Sequence, residues 1–254
     1  MRLRRLPPEF EGLRVAQLSD IHFSRYLREA HLRSIVEITN HERPDLVALT
    51  GDFVTGLSLG GKKNERAEHA WPCAEVLRTL NAPLGTIAVL GNHDYATNPE
   101  IVSEALAANG IQVLRNRSFS LERGRSRLWL AGIDDAIAGR ARPERAVRGV
   151  PPDECLVALV HEPDCADEIR RFPVDLQISG HSHGGQVRLP GVGALYLPEL
   201  GKKYPLGHYR FGDFQLYTNR GVGVVELPVR FMCPPELTIF TLRSEPRKSQ
   251  VKSS

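Results

Sequence analysis

Short apolar runs recur along the first 180 residues, and each run stops abruptly at polar residues. Uninterrupted runs of about four to eight aliphatic and β-branched residues are typical of strands that are buried on both faces. The pattern therefore predicts buried strands at residues 13–18, 46–50, 128–133, 156–160 and 176–178, and one within GTIAVLGNHDY at 85–95.

Helical periodicity separates the early strands. Residues 26–39 carry aliphatic side chains at helical spacing, and Pro44 closes this helix. A second helix is predicted to run to about residue 80. Asn98 and Pro99 suit the cap and first position of a third helix, which Gly110 stops. Alternating strands and helices indicate an α/β protein.

The pattern changes near residue 187. Residues 187–242 contain alternating segments such as HYRFGDFQLYTN, which favour antiparallel strands. Because no repeat or linker interrupts residues 1–242, we predict a single domain there, followed by a disordered tail at 243–254. Residues 54–66, with Lys62 and Lys63, are expected to form a mobile loop.

Composition excludes several classes of protein. The 254 residues are 41% hydrophobic and 25% charged, which is typical of a globular protein. A net charge of +3 is too small to favour nucleic acid as a partner, although it is compatible with anionic substrates. The four cysteines lie far apart without a CxxC spacing, so we expect reduced thiols rather than disulfides or a zinc finger.

The N-terminus carries positive charge, but no apolar stretch follows it. A signal peptide or a membrane span needs such a stretch, so we predict a cytoplasmic protein. We expect the arm with Arg2, Arg4 and Arg5 to be solvated, and the alternative is a peripheral contact with an anionic membrane surface.

Polar clusters follow the ends of five predicted strands. In open α/β sheets, the loops after the carboxyl ends of the strands can converge on one crevice. Five of the nine histidines belong to these clusters, which is difficult to assign to chance. The clusters contain Asp20 and His22, then Asp52, then Asn92, His93 and Asp94, then His161, and finally His181 and His183.

These side chains offer carboxylate, imidazole and amide donors without thiolates. Such a set suits Mn²⁺, Fe or Zn²⁺ better than a soft metal. A carboxylate has two oxygens, so one aspartate can bridge two ions. We expect Gly180, Gly184 and Gly185 to let His181 and His183 reach two neighbouring ions from one tight loop.

The order D-x-H, G-D, G-N-H-D, H and G-H-x-H over residues 20–183 resembles the calcineurin-like metallophosphoesterase superfamily. Later segments such as GHSHGGQVRLP resemble a bacterial subgroup of phosphodiesterases and UDP-diacylglucosamine pyrophosphatases. The resemblance implies a four-layer α-β-β-α sandwich, in which helices flank two mixed β-sheets.

The resemblance also implies a role for each motif residue. Asp20, His22 and His183 would bind one metal ion, and Asn92, His161 and His181 the other. Asp52 would bridge them. His93 corresponds to the family's catalytic histidine, which Asp94 would orient. Arg188 and Arg220 lie near the motif loops and are candidates for binding substrate phosphate.

The implied activity is hydrolysis of phosphodiester or pyrophosphate bonds, with a hydroxide between two divalent ions attacking phosphorus. We expect Mn²⁺ first, with Fe or Zn²⁺ as alternatives. The expected partner is a small phosphorylated substrate, with a nucleotide-linked lipid precursor as one candidate. A nuclease or cyclic-nucleotide phosphodiesterase is the alternative enzyme, and a non-catalytic scaffold is a third class.

Overall fold

The computed structural model describes residues 1–56, 67–225 and 227–245. The helices are α1 (Glu29–His41), α2 (Ala70–Leu77), α3 (Asn92–Thr97), α4 (Pro99–Ala108), α5 (Pro143–Ala146) and α6 (Ala166–Ile169). The strands are β1 (Arg2–Leu3), β2 (Arg14–Leu18), β3 (Leu46–Thr50), β4 (Thr86–Val89), β5 (Gln112–Val113), β6 (Arg117–Arg123), β7 (Ser126–Gly132), β8 (Cys155–Leu159), β9 (Leu176–Ser179), β10 (Arg188–Leu189), β11 (Gly193–Ala194), β12 (Gly207–Phe211), β13 (Phe214–Thr218), β14 (Thr238–Thr241) and β15 (Arg243–Ser244).

Two mixed sheets form the centre of the fold. One has the strand order β14-β2-β3-β4-β5, in which only β14 is antiparallel to its neighbour. The other has the order β12-β13-β9-β8-β7-β6, in which β13, β9, β8 and β7 are parallel and both edge strands are antiparallel. In each sheet, the carboxyl ends of several parallel strands therefore lie at the same edge.

Three apolar clusters define four layers. The first joins α1, α2 and α4 to one face of the five-stranded sheet, as with Leu32, Leu77 and Leu49. The second lies between the two sheets, and the third joins α5 and α6 to the outer face of the six-stranded sheet. Because these clusters alternate with the layers, the α-β-β-α sandwich is confirmed.

The main predicted elements are present, with small shifts at their ends. The strand at 46–50 is β3 itself, and Asn98 caps α4 by accepting a hydrogen bond from the backbone N–H of Ile101. The first helix begins later than expected, at Glu29, because Leu27 forms a β-bridge with Phe23. We did not predict β6, which pairs with β7 along its whole length.

Both chain ends correct the sequence analysis. The expected solvated arm is packed, since Leu3 and Phe10 are fully buried between the sheets and Arg5 forms an ion pair with Asp175. The predicted start of the disordered tail at residue 243 is wrong, because β15 (Arg243–Ser244) pairs in parallel with β1. The arm lies beyond the amino ends of the parallel strands, since β14 runs antiparallel to β2 and leads to β15.

The expected mobile loop at 54–66 is described only as far as residue 56, and residues 246–254 of the expected tail lie outside the described ranges. All four cysteines are unpaired, as predicted. Among the residues that the structure describes, no helix is long and apolar enough to cross a membrane.

Candidate metal centre

Polar side chains from both sheets meet where the parallel strands end. In the five-stranded sheet, β2, β3 and β4 lead to Asp20, Asp52 and Asn92. In the six-stranded sheet, β8 and β9 lead to His161, His181 and His183. The structure brings all of these side chains together with His22 and His93.

The donor atoms form three overlapping groups. Asp20, His22 and His183 form the first group, and Asp52, His161 and His181 form the second. The third consists of His22, Asp52 and His93. Within each group the donor atoms lie within 4.8 Å of one another, which is close enough to surround one ion.

Asp52 connects the first two groups. Its Oδ2 lies 3.3 Å from Nε2 of His161 in the second group and 3.5 Å from Nε2 of His22 in the first. Asn92 joins the second group, because its Oδ1 lies 2.9 Å from Nδ1 of His181. The two groups thus share one buried carboxylate.

Backbone carbonyls fix the tautomers of two histidines. Nδ1 of His161 lies 2.6 Å from the carbonyl oxygen of Thr50, and Nε2 of His181 lies 2.7 Å from that of Glu199. A carbonyl oxygen can only accept, so each of these ring nitrogens carries a proton. When such a ring is neutral, its other nitrogen presents a lone pair to the centre, as a metal ligand requires.

Burial favours neutral rings at three positions. It lowers the pKa of His22 to about 3, with help from the nearby His93, and it also lowers the pKa values of His181 and His183. For His161, burial acts in the same direction, but Asp52 outweighs it and raises the pKa well above the usual value.

The carboxylates lack fixed cations. Burial next to Asp52 raises the pKa of Asp20 to about 7. In the described part of the chain, neither Asp20 nor Asp52 forms an ion pair with a lysine or arginine; the basic groups within 4 Å of their oxygens are the rings of histidines. Neutral imidazoles around uncompensated buried carboxylates form a donor set that suits bound cations.

Backbone strain is concentrated at these positions. Positive φ angles between 48° and 68° occur at Asp20, His22, Asp52, His181 and His183. A non-glycine residue in this region is uncommon, and each one costs about 1–3 kcal/mol, which the surrounding structure must offset. Such strain clusters at functional sites, so these loops are shaped by what the side chains must reach.

Glycines allow the loops to approach one another. A Cβ at Gly91 would lie 2.3 Å from Oδ1 of Asp52, and a Cβ at Gly180 would lie 2.3 Å from Oδ2 of Asp20. Gly184 and Gly185 have positive φ angles of 60° and 83°. Glycine is therefore required at Gly180 by the close approach of Asp20. At Gly184 and Gly185 it is favoured by the positive φ angles.

His93 lies at the edge of the first two groups. Its ring meets that of His22 edge-on, with the ring centroids 4.7 Å apart. The backbone N–H of Gly56 donates to Nδ1 of His93 at 2.9 Å. Since Nδ1 accepts, a neutral His93 carries its proton on Nε2, where it is available as a donor.

Asp94 does not orient His93, contrary to our prediction. Its two oxygens accept backbone N–H groups from Gly91, Asp52, Phe53 and Val54, at distances of 2.9–3.2 Å. Both oxygens are therefore used by the loops on either side of the site. Asp94 holds the backbone around Asp52, and Gly56 supplies the hydrogen bond that orients His93.

The two arginines proposed for phosphate binding lie against the loop of His183, each with a protein partner. Arg188 donates from Nη1 to the carbonyl oxygen of Gly184 at 2.8 Å, and Arg220 donates from Nε to Oε2 of Glu236 at 2.6 Å. A role in binding substrate therefore stays a prediction for both.

Arg230 also lies at the site, beside His183, and was not predicted. Its Nη2 lies 3.4 Å from Nδ1 of His183 and donates to the carbonyl oxygens of Arg220 and Gly223 at 2.8 and 2.7 Å. It therefore ties the loop after β13 to the metal-binding loop. No motif revealed it, because PVRFM follows no buried strand and resembles none of the ligand clusters.

Comparison with known proteins agrees with this geometry. Residues 13–185 match the calcineurin-like phosphoesterase family, and the chain belongs to this family of metal-dependent hydrolases, which use a centre of two metal ions. It is 37% identical over 242 residues to the uncharacterized metallophosphoesterase YkuE of Bacillus subtilis, covering 94% of this chain and 82% of that protein.

Two further relatives carry names that state an activity. The phosphodiesterase YaeI of Escherichia coli is 33% identical over 229 residues, covering 89% of this chain and 80% of that protein. The UDP-2,3-diacylglucosamine pyrophosphatase LpxG of Chlamydia trachomatis is 28% identical over 305 residues, covering 95% and 88%. A dimetal phosphatase from Danio rerio has a similar fold, with a TM-score of 0.54 at 15% identity over 92% of this chain and 93% of that one.

Proposed function

We propose that this chain hydrolyses phosphodiester or pyrophosphate bonds with two divalent metal ions. Asp20, His22 and His183 would hold one ion. Asn92, His161 and His181 would hold the other, and Asp52 would contribute to both. The observation that carries this proposal is the position of Asp52, whose Oδ2 lies 3.3 Å from His161 and 3.5 Å from His22, one histidine from each group.

The donor set favours a hard or borderline ion. Carboxylate and amide oxygens with neutral imidazoles suit Mn²⁺, Fe and Zn²⁺, and we propose Mn²⁺ because oxygen donors are well represented. Three oxygen-bearing side chains contribute to the two groups: the buried Asp20 and Asp52, and the partly buried Asn92.

The chain's own residues would carry the remaining chemistry. When bound, the pair of ions supplies an activated water molecule and offsets charge on the phosphoryl group. His93, with its proton on Nε2, would donate a hydrogen bond to the departing oxygen and stabilise the negative charge that develops on it, and one such donor typically contributes about 10²- to 10³-fold. Gly56 keeps this tautomer by donating to Nδ1.

The relatives support hydrolysis of phosphodiester or pyrophosphate bonds, but they do not identify the substrate of this chain. A phosphodiesterase and a nucleotide-lipid pyrophosphatase are both similar over at least 89% of this chain. We therefore propose a small phosphorylated substrate, and a nucleotide-linked lipid precursor as the narrower candidate. A cytoplasmic location also stays a prediction.

A substrate panel tests the proposal. Protein stripped of metal with a chelator is assayed with added Mn²⁺, Fe²⁺ or Zn²⁺ against bis-p-nitrophenyl phosphate, UDP-2,3-diacylglucosamine, a cyclic nucleotide and single-stranded DNA. We expect metal-dependent hydrolysis of the first two, and loss of that activity in His183→Ala. Preference for DNA or the cyclic nucleotide would favour the alternative enzymes. No hydrolysis with any metal would contradict the proposal and favour a scaffold.

A further inference from the structure

Exposed apolar side chains are concentrated in two segments next to the metal-binding loop. The described ranges contain twelve exposed large hydrophobic residues, and eight of them lie within residues 189–196 and 227–232. Such a concentration marks an interaction surface, whereas single exposed residues are ordinary. We call these eight residues the apolar rim: Leu189, Val192, Leu195, Tyr196, Leu227, Val229, Phe231 and Met232.

The two segments form one continuous surface. The backbone N–H of Arg188 donates to the carbonyl oxygen of Phe231, and that of Phe231 donates to the carbonyl oxygen of Gln186, both at 3.0 Å. The side chain of Gln186 also binds the backbone of Val225 and Leu227. These bonds fix the segments side by side.

The apolar rim adjoins the metal centre directly. A Cβ at Gly185, two residues after His183, would lie 2.3 Å from Cβ of Ala194. Farther along the same segment, the carbonyl oxygen of Glu199 lies 2.7 Å from Nε2 of His181. The backbone therefore leads from the apolar rim to two of the proposed metal ligands.

The shape of the apolar rim is that of a projecting tip. β10 and β11 form a hairpin, and the backbone N–H of Val192 closes its turn on the carbonyl oxygen of Leu189. Val192 in this turn is 71% exposed, and Tyr196 just after the hairpin is 74% exposed. A projecting apolar tip with a tyrosine suits the boundary between lipid headgroups and acyl chains.

The charge of the segments agrees with such a boundary. Residues 186–198 and 227–235 contain no aspartate or glutamate, and their charged residues are Arg188 and Arg230. In a chain that is 25% charged, this leaves the segments free of groups that anionic headgroups would repel.

We propose that the apolar rim docks the chain on a lipid membrane surface and presents the metal centre to a phosphate carried by a membrane lipid. This deepens the proposed function, because it places the phosphate bond at the edge of a bilayer. It also assigns membrane contact to a surface beside the carboxyl ends of the strands, whereas the arginine arm lies beyond their amino ends.

Vesicle binding tests the proposal without relying on catalysis. Full-length protein is sedimented with sucrose-loaded vesicles of phosphatidylglycerol and phosphatidylcholine in equal amounts. The variant is Val192→Asp/Tyr196→Ser, and the matched control is Ile38→Asp, since Ile38 on α1 is 58% exposed and lies outside the rim. Thermal melts establish that each variant is folded.

We expect the wild-type chain to bind to the vesicles. The double variant should partition onto the vesicles more weakly, by on the order of tenfold for each replaced side chain, because less apolar area is removed from water on binding. Ile38→Asp should bind like the wild type. Absence of wild-type binding would overturn the proposal, as would full binding by the double variant. A wild-type dimer that the double variant dissociates, without vesicle binding, would overturn it in favour of self-association.

Two activity assays separate this proposal from the proposed function. The double variant should hydrolyse soluble bis-p-nitrophenyl phosphate like the wild type, and should lose activity only on a phosphodiester carried by vesicle lipid. Hydrolysis of soluble bis-p-nitrophenyl phosphate without vesicle binding would contradict the docking proposal alone. Vesicle binding without hydrolysis of any diester would support docking and contradict the proposed function.

Discussion

At the scale of single residues, a backbone amide decides what the ring of His93 can do. The N–H of Gly56 donates to Nδ1, so the proton of the neutral ring is on Nε2. This hydrogen bond matters because a ring nitrogen of His93 lies within 4.8 Å of donor atoms of His22 and Asp52, one from each of the first two donor groups. A ring that donates a hydrogen bond there would assist the departure of the leaving oxygen without being required for metal binding.

Replacing His93 by alanine should therefore affect substrates unequally. A nitrophenolate spreads its charge over the ring and leaves readily, whereas an alkoxide concentrates its charge on the departing oxygen and depends on a hydrogen-bond donor there. We expect the loss in kcat/KM for an alkyl diester to exceed that for bis-p-nitrophenyl phosphate by about 10- to 100-fold. Steady-state kinetics at saturating Mn²⁺, with metal content measured in parallel, test this. Equal losses would show that His93 stabilises charge on the phosphoryl oxygens instead.

At the scale of elements, Asp94 joins the first turn of α3 to the loop after β3. One oxygen accepts from Phe53 and Val54, and the other from Asp52 and Gly91. These donors are buried, so nothing in the described structure replaces Asp94 as their acceptor. The loop that carries Asp52 thus depends on a side chain 42 residues away.

Asp94→Ala should destabilise the fold strongly. Each buried N–H left without a partner costs about 1–3 kcal/mol, so we expect the free energy of unfolding to fall by at least about 3 kcal/mol. Asn98→Ala is the matched control, because it removes one N-cap bond of α4 at a cost of about 1 kcal/mol. Urea denaturation measures both. A loss of stability no greater than that of the control would show that Asp94 does not hold the backbone around Asp52.

The sequence could predict elements whose signal is local. An unbroken apolar run such as LVALT indicates a buried strand without reference to any other segment. The predicted strand at 46–50 is β3. The strand β6 has the sequence RSFSLER, in which only Phe119 and Leu121 pack on the core, so its alternation is too short to detect. The four-layer arrangement and the ligand positions were predicted from motifs, whereas the partners of Asp94 and Arg230 depend on contacts between distant segments.

At the scale of the whole molecule, the site exists only when the two sheets pack. One sheet supplies Asp20, Asp52 and Asn92, and the other supplies His161, His181 and His183. Far from the site, the N-terminal arm places Leu3 and Phe10 in the core that joins the sheets. The sequence analysis missed this because three arginines and two prolines around the leucines resemble a solvated segment.

Leu3→Ala should therefore cost stability rather than activity. Leu3 is fully buried, and replacing a buried leucine by alanine typically costs about 2–5 kcal/mol. Metal content and activity per folded molecule should stay unchanged, since the arm lies at the far ends of the strands. Val192→Ala, at an exposed position, is the control. A melting temperature equal to that of the wild type would indicate that the arm does not hold the sheets together.

The central claim is that two ions share Asp52, and metal content measures this most directly. Plasma mass spectrometry of Mn²⁺-loaded protein should find two ions per wild-type chain. Asp52→Asn should lower the occupancy of both, because one ligand serves both groups, whereas His22→Ala should mainly remove one. If Asp52→Asn kept two ions per chain at wild-type affinity, the shared centre would be contradicted.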